Sequence, residues 1–167
     1  QGAYPPGSTF KMVTALAALE AGVIDEGSTV RCPGYLESGG RKFHCWKHGG
    51  HGTVDLKRSL AESCDVYYYD VGQKVGIDKI AEMGRKLGLG VRHDLPMSAI
   101  TEANMPDKAW KEARYGQEWR IGDTINASIG QGYVLTSPLQ LAVMTARIAS
   151  GRAVKPRLVR AIDGREV

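Results

Sequence analysis

Ser8 and Lys11 lie three residues apart in the stretch Pro5-Pro6-Gly7-Ser8-Thr9-Phe10-Lys11, at the start of an apolar helical run. A spacing of three on a helix places both side chains on one face, one turn apart. A serine hydroxyl is a poor nucleophile at neutral pH until a nearby base takes its proton. A lysine amine serves as that base when desolvation or neighbouring charge lowers its pKa. The start of a helix also points unpaired backbone N–H groups at the serine, a favourable place for developing negative charge. A second pair, Ser63 and Asp65, follows 55 residues after Ser8, where one helical run gives way to another. Alone it reads as a helix cap, for which Ser and Asp are favoured. In the company of Ser8 and Lys11 it can aim two further polar side chains into one cleft.

The elements that must position these residues are readable from periodicity and punctuation. Ser8 to Glu20 reads as a helix ended by Gly22, with Phe10, Val13, Leu16, Ala17 and Leu19 at helical spacing. Residues 23–54 carry seven glycines and clustered Cys and His, which predicts a long structured loop with room for a short hairpin. Asp55 caps a run through Leu56, Leu60 and Ala61, a second run extends from Asp65 to about Lys74, and Asp78 caps a third with Ile80, Met83 and Leu87 on one face. Residues 89–126 are expected to be mostly loop. Thr136-Ser137-Pro138 starts a helix that Gly151 ends. Arg157 to Ile162 reads as a strand leading into a turn at Asp163-Gly164. The fold class is therefore mixed α/β, mainly helical, without internal repeats.

At 167 residues, 43% hydrophobic and 24% charged, the chain has the balance of a soluble globular domain able to bury a core. The net charge of +4 is spread along the sequence with no basic block, which argues against nucleic acid. No apolar run reaches the ~18 residues that would span a membrane, and no signal peptide is visible. The abrupt start at Gln1, just before the serine motif, suggests a piece of a longer protein whose export signal or anchor lies upstream.

Tyr4-Pro5-Pro6-Gly7-Ser8-Thr9-Phe10-Lys11 resembles the nucleophile segment of class B penicillin-binding proteins. The order Ser-x-x-Lys then Ser-x-Asn or its variant is the order of penicillin-recognising serine enzymes. Ile129-Gly130-Gln131-Gly132-Tyr133, followed by Thr136-Ser137-Pro138-Leu139-Gln140, resembles the Gly-Gln-Gly segment that these transpeptidases carry before a helix. Gly50-His51-Gly52, Asn104-Met105-Pro106, Trp110 and Gly122-Asp123-Thr124 are similar to the elongation-type members. The similarity runs along essentially the whole chain. It implies a partial transpeptidase domain over 1–167, holding the helical region of the penicillin-binding protein/β-lactamase-like fold and a little of its antiparallel sheet.

By resemblance, Ser8 is the acylated nucleophile, Lys11 its base, and Ser63 a relay between Lys11 and the leaving amine. Asp65 stands where many relatives have Asn; a carboxylate donates no hydrogen bond unless protonated, so its expected part is to hold Lys11 as a cation in some states. The family's third motif, Lys-[Ser/Thr]-Gly, occurs nowhere in the chain and is expected beyond Val167. Its strand supplies part of the oxyanion hole, and one such donor is worth about 10²–10³ in rate, so the isolated segment is expected to be inactive or severely impaired. The implied reaction is penicillin-sensitive D,D-transpeptidation of peptidoglycan stem peptides in cell-wall elongation, at the periplasmic face of the inner membrane. β-Lactams and cell-wall elongation proteins are the other implied partners. Two rivals stay open: a non-catalytic binding module of the same fold, and a β-lactam hydrolase, for which no water-activating base is identifiable. Gly130-Gln131-Gly132 lacks the Lys-Ser/Thr of a phosphate loop and reads as a tight turn beside the active-site helices.

No cofactor is expected from the resemblance. Cys32 and Cys45 flank a Gly-rich loop, and the oxidising compartment that the family implies favours a disulfide between them, worth about 3 kcal/mol in the chain-entropy picture. Zinc held by Cys32 and Cys45 with His44 or His48 is the alternative, and free thiols a third. Cys64 reads as a small buried hydrophobe. At least one of Tyr67, Tyr68 and Tyr69 belongs to the core. Trp46, Trp110 and Trp119 either anchor the long loops or line a cleft.

Overall fold

The structure is a computed structural model and describes residues 2–166. A single 3-10 turn, Gly7–Phe10, runs directly into helix α1, Lys11–Glu20. Ser8 thus sits on the tighter turn, where residues three apart eclipse one another, and Lys11 opens the α-helix proper. Between α1 and the next helix the chain is more regular than its composition suggests. Strand β1 (Val30–Cys32) pairs antiparallel with β4 (Gly52–Val54), and inside that ladder β2 (Tyr35–Ser38) and β3 (Arg41–His44) form a hairpin. The register sets Cys32 opposite Gly52 and Tyr35 opposite His44.

Helix α2, Leu56–Ala61, begins at the Asp55 cap, whose side chain accepts from the Arg58 amide at 2.8 Å. Such a cap is worth about 1 kcal/mol. Helix α3 (Asp65–Val75) is the centre of the molecule. Tyr67, Tyr68 and Tyr69 are all buried, so all three serve the core, and the Tyr68 hydroxyl is hydrogen-bonded to Ser59 at 3.0 Å. Full burial of a large side chain contributes about 1.5–3 kcal/mol, so the three rings give α3 a large share in the core. Helix α4 (Ile77–Lys86) is capped by Gly76 rather than by Asp78, which lies in its first turn. Gly76 takes the cap because the chain turns there at φ +82°, which glycine adopts without steric cost.

The expected loop over 89–126 contains helix α5 (Lys108–Tyr115) and most of helix α6 (Ile121–Ser128). Both are only eight residues long, and their stability comes from contacts that periodicity does not reveal. Asp107 caps α5 through the Trp110 amide (2.8 Å) and pairs with Arg85 (2.6 Å). Buried Lys111 reaches Asp123 of α6 at 2.6 Å, and the rings of Trp110, Tyr115 and Tyr133 cluster with centroids 5.3–5.7 Å apart. Helix α7 (Pro138–Ser150) starts and stops where expected, with a reciprocal Ser137–Gln140 capping box and Gly151 closing it in the left-handed region. Gln140 also donates to the carbonyls of Val91 (3.0 Å) and Glu102 (2.8 Å), pinning the segment before α5. The C-terminal strand is shorter than expected: β5 (Ala161–Ile162) turns at Asp163-Gly164 into β6 (Arg165–Glu166). Among the described residues no helix is long and apolar enough to cross a membrane. The architecture is mixed α/β and mainly helical, as the sequence predicts.

Candidate active site

Backbone bonds to Gly130 and Thr136 seat the serine motif. Tyr4 and Thr136 exchange backbone hydrogen bonds at 2.9 Å, and the Gly7 amide donates to the Gly130 carbonyl at 3.0 Å. Gly130 has φ +72°, and a Cβ there would stand 2.3 Å from the Gly7 carbonyl oxygen. Gly130-Gln131-Gly132 is thus the tight turn beside the nucleophile segment that the sequence predicts, and only glycine permits its close approach.

Lys11 is 1% exposed, whereas Ser8 lies at the surface. The Lys11 ammonium donates to the Ser63 carbonyl (2.9 Å), Ser63 Oγ (3.0 Å) and Asp65 Oδ1 (2.6 Å). These three acceptors use all three of its N–H groups. Ser63 Oγ in turn donates to Ser8 Oγ at 3.0 Å. The outcome is a continuous chain of polar atoms, Asp65–Lys11–Ser63–Ser8, from buried to exposed. The second oxygen of Asp65 accepts from the Trp46 amide at 2.9 Å, so the carboxylate is satisfied on both sides. Its place in the first turn of α3 adds the favourable interaction of an anion with a helix N-terminus. Removing either partner of such a buried ion pair leaves an uncompensated charge, at a cost of about 3–5 kcal/mol.

Ser63 adopts φ +53° in the break between α2 and α3. A left-handed backbone costs a non-glycine residue on the order of 1–2 kcal/mol. That turn directs both the Ser63 carbonyl and its hydroxyl at Lys11. The four residues singled out from sequence are therefore brought together. Periodicity puts Ser8 near Lys11; the strained turn is what places Ser63 between them.

The Cys/His cluster differs from expectation in three respects. Cys32 and Cys45 are free thiols, not a disulfide. His44 and His48 are both exposed and do not face these thiols; buried His51 does, its Nδ1 standing 3.6 Å from Cys32 Sγ and 3.5 Å from Cys45 Sγ. Cys64 is buried as expected, but it joins the cluster instead of acting only as a hydrophobe. Its Sγ, the other two sulfurs and a His51 ring nitrogen all lie within 4.8 Å of one another. The physical reason is register: pairing Cys32 with Gly52 carries the neighbouring His51 inward, while the start of α3 turns Cys64 to the same point. A strand assignment for 30–32 and 52–54 would have been the signal for His51.

The donor set fits zinc. A tetrahedron with Zn–S of about 2.3 Å and Zn–N of about 2.0–2.1 Å has S···N edges of about 3.6 Å, which the two Sγ–Nδ1 distances match. Burial pushes the Cys64 thiol up to about 12, so it stays protonated at neutral pH unless a cation stabilises the thiolate. Burial, with Lys47 nearby, lowers the His51 pKa, leaving the ring neutral as a metal ligand must be. His51 Nε2 is buried without a hydrogen bond, 3.9 Å from Glu62 Oε2. With Nδ1 on a cation, Nε2 would carry the proton and face a carboxylate, a common second contact of metal-bound histidines.

Of the tryptophans, Trp46 is 60% exposed and lies beside Ser63 and Asp65. Trp110 belongs to the ring cluster, and Trp119 donates to Thr124 at 2.8 Å.

The penicillin binding protein transpeptidase domain matches residues 1–166. The chain is 40% identical over 167 residues to the peptidoglycan D,D-transpeptidase MrdA of Haemophilus influenzae, covering 98% of this chain and 26% of that protein. It superposes on the crystal structure of Pseudomonas aeruginosa PBP2 in complex with WCK 5153 with a TM-score of 0.94 and 38% identity, over 100% of this chain and 39% of that one. Against PBP2 in its complex with MreC from Helicobacter pylori the TM-score is 0.91 at 37% identity, over 99% of this chain and 31% of that one. The chain spans about a quarter of the length of the curated relative. A domain match along almost the entire chain, and folds this close at these identities, mean that the chain belongs to the penicillin-binding protein transpeptidase family.

Proposed function

We propose that the whole protein is a penicillin-sensitive peptidoglycan D,D-transpeptidase that works through an acyl-serine intermediate. The observation that carries this reading is the hydrogen-bonded series from Asp65 through Lys11 and Ser63 to exposed Ser8. Ser8 Oγ attacks the penultimate D-alanyl carbonyl of a stem peptide. Its proton passes through Ser63 Oγ to Lys11 in its neutral form, and from there to the amine of the departing D-alanine. An amine of a neighbouring strand then takes the acyl group, returning its own proton along the same atoms. Asp65 holds the lysine in place and balances its charge each time it is protonated. A β-lactam acylates the same oxygen and stays. The likeness to MrdA and to a PBP2 bound to MreC supports work at the periplasmic face of the inner membrane beside cell-wall elongation proteins.

The same reading gives the thiol cluster a structural part. Zinc on Cys32, Cys45, Cys64 and His51 would neutralise the sulfurs and tie the β1–β4 ladder to the start of α3. Because Cys64 lies between Ser63 and Asp65, the ion would also brace the catalytic turn from behind.

The test is intact-protein mass spectrometry of the whole protein after benzylpenicillin. One adduct, mapped to Ser8 and absent from Ser8→Ala, is expected. An adduct that persists in that variant would overturn the assignment.

A further inference from the structure

We propose that Trp46 is a positioning residue for acylation, holding the Ser63 turn and the Asp65 carboxylate in register with Lys11. The inference rests on the acyl-serine reading above and concerns a residue outside the family motifs that carry it.

An indole that is 60% exposed contributes little to a core, yet every polar group of Trp46 that can donate is engaged at the site. Its backbone amide donates to Asp65 Oδ2 at 2.9 Å, leaving Oδ1 directed at Lys11. Its Nε1–H is shared between the carbonyls of Glu62 and Ser63, both at 3.1 Å. The Ser63 carbonyl also accepts from Lys11 at 2.9 Å, so Lys11 and Trp46 occupy its two lone pairs. This carbonyl belongs to the left-handed turn at φ +53°, a backbone state that persists only where surrounding contacts over-determine it. The Trp46 ring meets the His51 ring edge-on, centroids 5.4 Å apart. The indole is thereby braced against the buried cluster while its N–H faces the catalytic turn.

Without the indole N–H, the Ser63 carbonyl keeps Lys11 as its one side-chain donor and the turn is free to relax. Ser63 Oγ then leaves the line between Lys11 and Ser8. A displacement of about 1 Å in a reacting constellation costs about 10²-fold in rate. Since the motion affects proton transfer and not substrate contacts, the loss falls on the acylation rate constant and spares pre-covalent binding.

The experiment uses the whole protein and benzylpenicillin, resolving acylation by saturation kinetics into the dissociation constant of the pre-covalent complex and the acylation rate constant. Two variants are compared: Trp46→Phe, and incorporation of benzothienylalanine at position 46, which keeps the bicyclic ring and removes only the N–H. In both, the acylation rate constant is expected to fall by about 10–100-fold, with the dissociation constant within about twofold of wild type and the melting temperature of the benzothienylalanine protein unchanged. A wild-type adduct at Ser8 together with an unchanged acylation rate constant in the benzothienylalanine protein would overturn this proposal alone. Loss confined to the dissociation constant or to the folded fraction would do the same, since it would mark Trp46 as a substrate contact or a packing group. Absence of any wild-type adduct at Ser8 would overturn the acyl-serine reading and this proposal with it.

Discussion

Ser63, Cys64 and Asp65 are consecutive, yet they serve two clusters on opposite sides of one turn. Ser63 and Asp65 face Lys11 in an arrangement whose hydrogen bonds are complete: the ammonium spends all three donors and both carboxylate oxygens are engaged. Cys64 faces the other way, into a set of three thiols and an imidazole whose His51 Nε2 is left without a hydrogen bond. The first cluster is self-sufficient, whereas the second presents the donor set on which the zinc proposal rests. The contrast teaches that a buried polar group is explained by its full complement of partners, because an unsatisfied one costs about 1–3 kcal/mol. Depth alone does not distinguish the two: Lys11 and Cys64 are buried almost equally.

The sharpest way to break this comparison is Lys11→Arg. The charge and the Asp65 contact survive, but a guanidinium does not give up a proton in a protein. Acylation by benzylpenicillin in the whole protein should fall by about 10²–10⁴-fold, the range for losing a general base, while zinc content stays at the wild-type level. Near-normal acylation would remove the base role. Cys64→Ser attacks the other side. The expected result is loss of most of the bound zinc by elemental analysis, a lower melting temperature, and a smaller fall in acylation that follows from the loosened turn; even the outer contacts of a metal site are commonly worth about 10–100-fold in affinity. Chelation of the wild-type protein should reproduce the drop in melting temperature, and stoichiometric zinc retained by Cys64→Ser would show that Cys64 is no ligand. The smallest effect is expected from Gly130→Ala, which touches neither cluster's side chains. Its Cβ would lie 2.3 Å from the Gly7 carbonyl at a φ of +72°, displacing the segment that bears Ser8. A stability loss of about 1–3 kcal/mol, with slower acylation and unaltered zinc, would separate the seating of Ser8 from the bracing of Ser63. Equal damage to zinc content would mean that the clusters are coupled through the whole core.

Much of the site was legible before the fold because the relevant rules are local. Ser8 and Lys11 are three residues apart on one helical path, and the caps at Asp55 and Ser137 act within a single turn. The short helices α5 and α6 were not legible. Their eight-residue lengths fall below what propensity stabilises in isolation, and they stand on the Lys111–Asp123 pair and on rings contributed from Tyr133. His51 was passed over in favour of His44 and His48 for a similar reason. Residue type alone does not separate the three, whereas facing the thiols depends on a strand register that brings Cys32 opposite Gly52.

By itself the sequence determined which residues are available for proton transfer, where the main helices start and stop, and, through motifs along its full length, the family to which the chain belongs. Only the tertiary structure decided how those residues meet. The Lys11–Ser63 and Lys11–Asp65 contacts close loops of 52 and 54 residues, and no periodicity reaches that far. They form because α1 and α3 pack together and because Ser63 is held in a left-handed turn. That turn is unfavourable for an isolated serine and is sustained by Lys11, by Trp46 and by the buried face of Cys64 behind it. Local propensity opposes the conformation, so only the assembled contacts could select it.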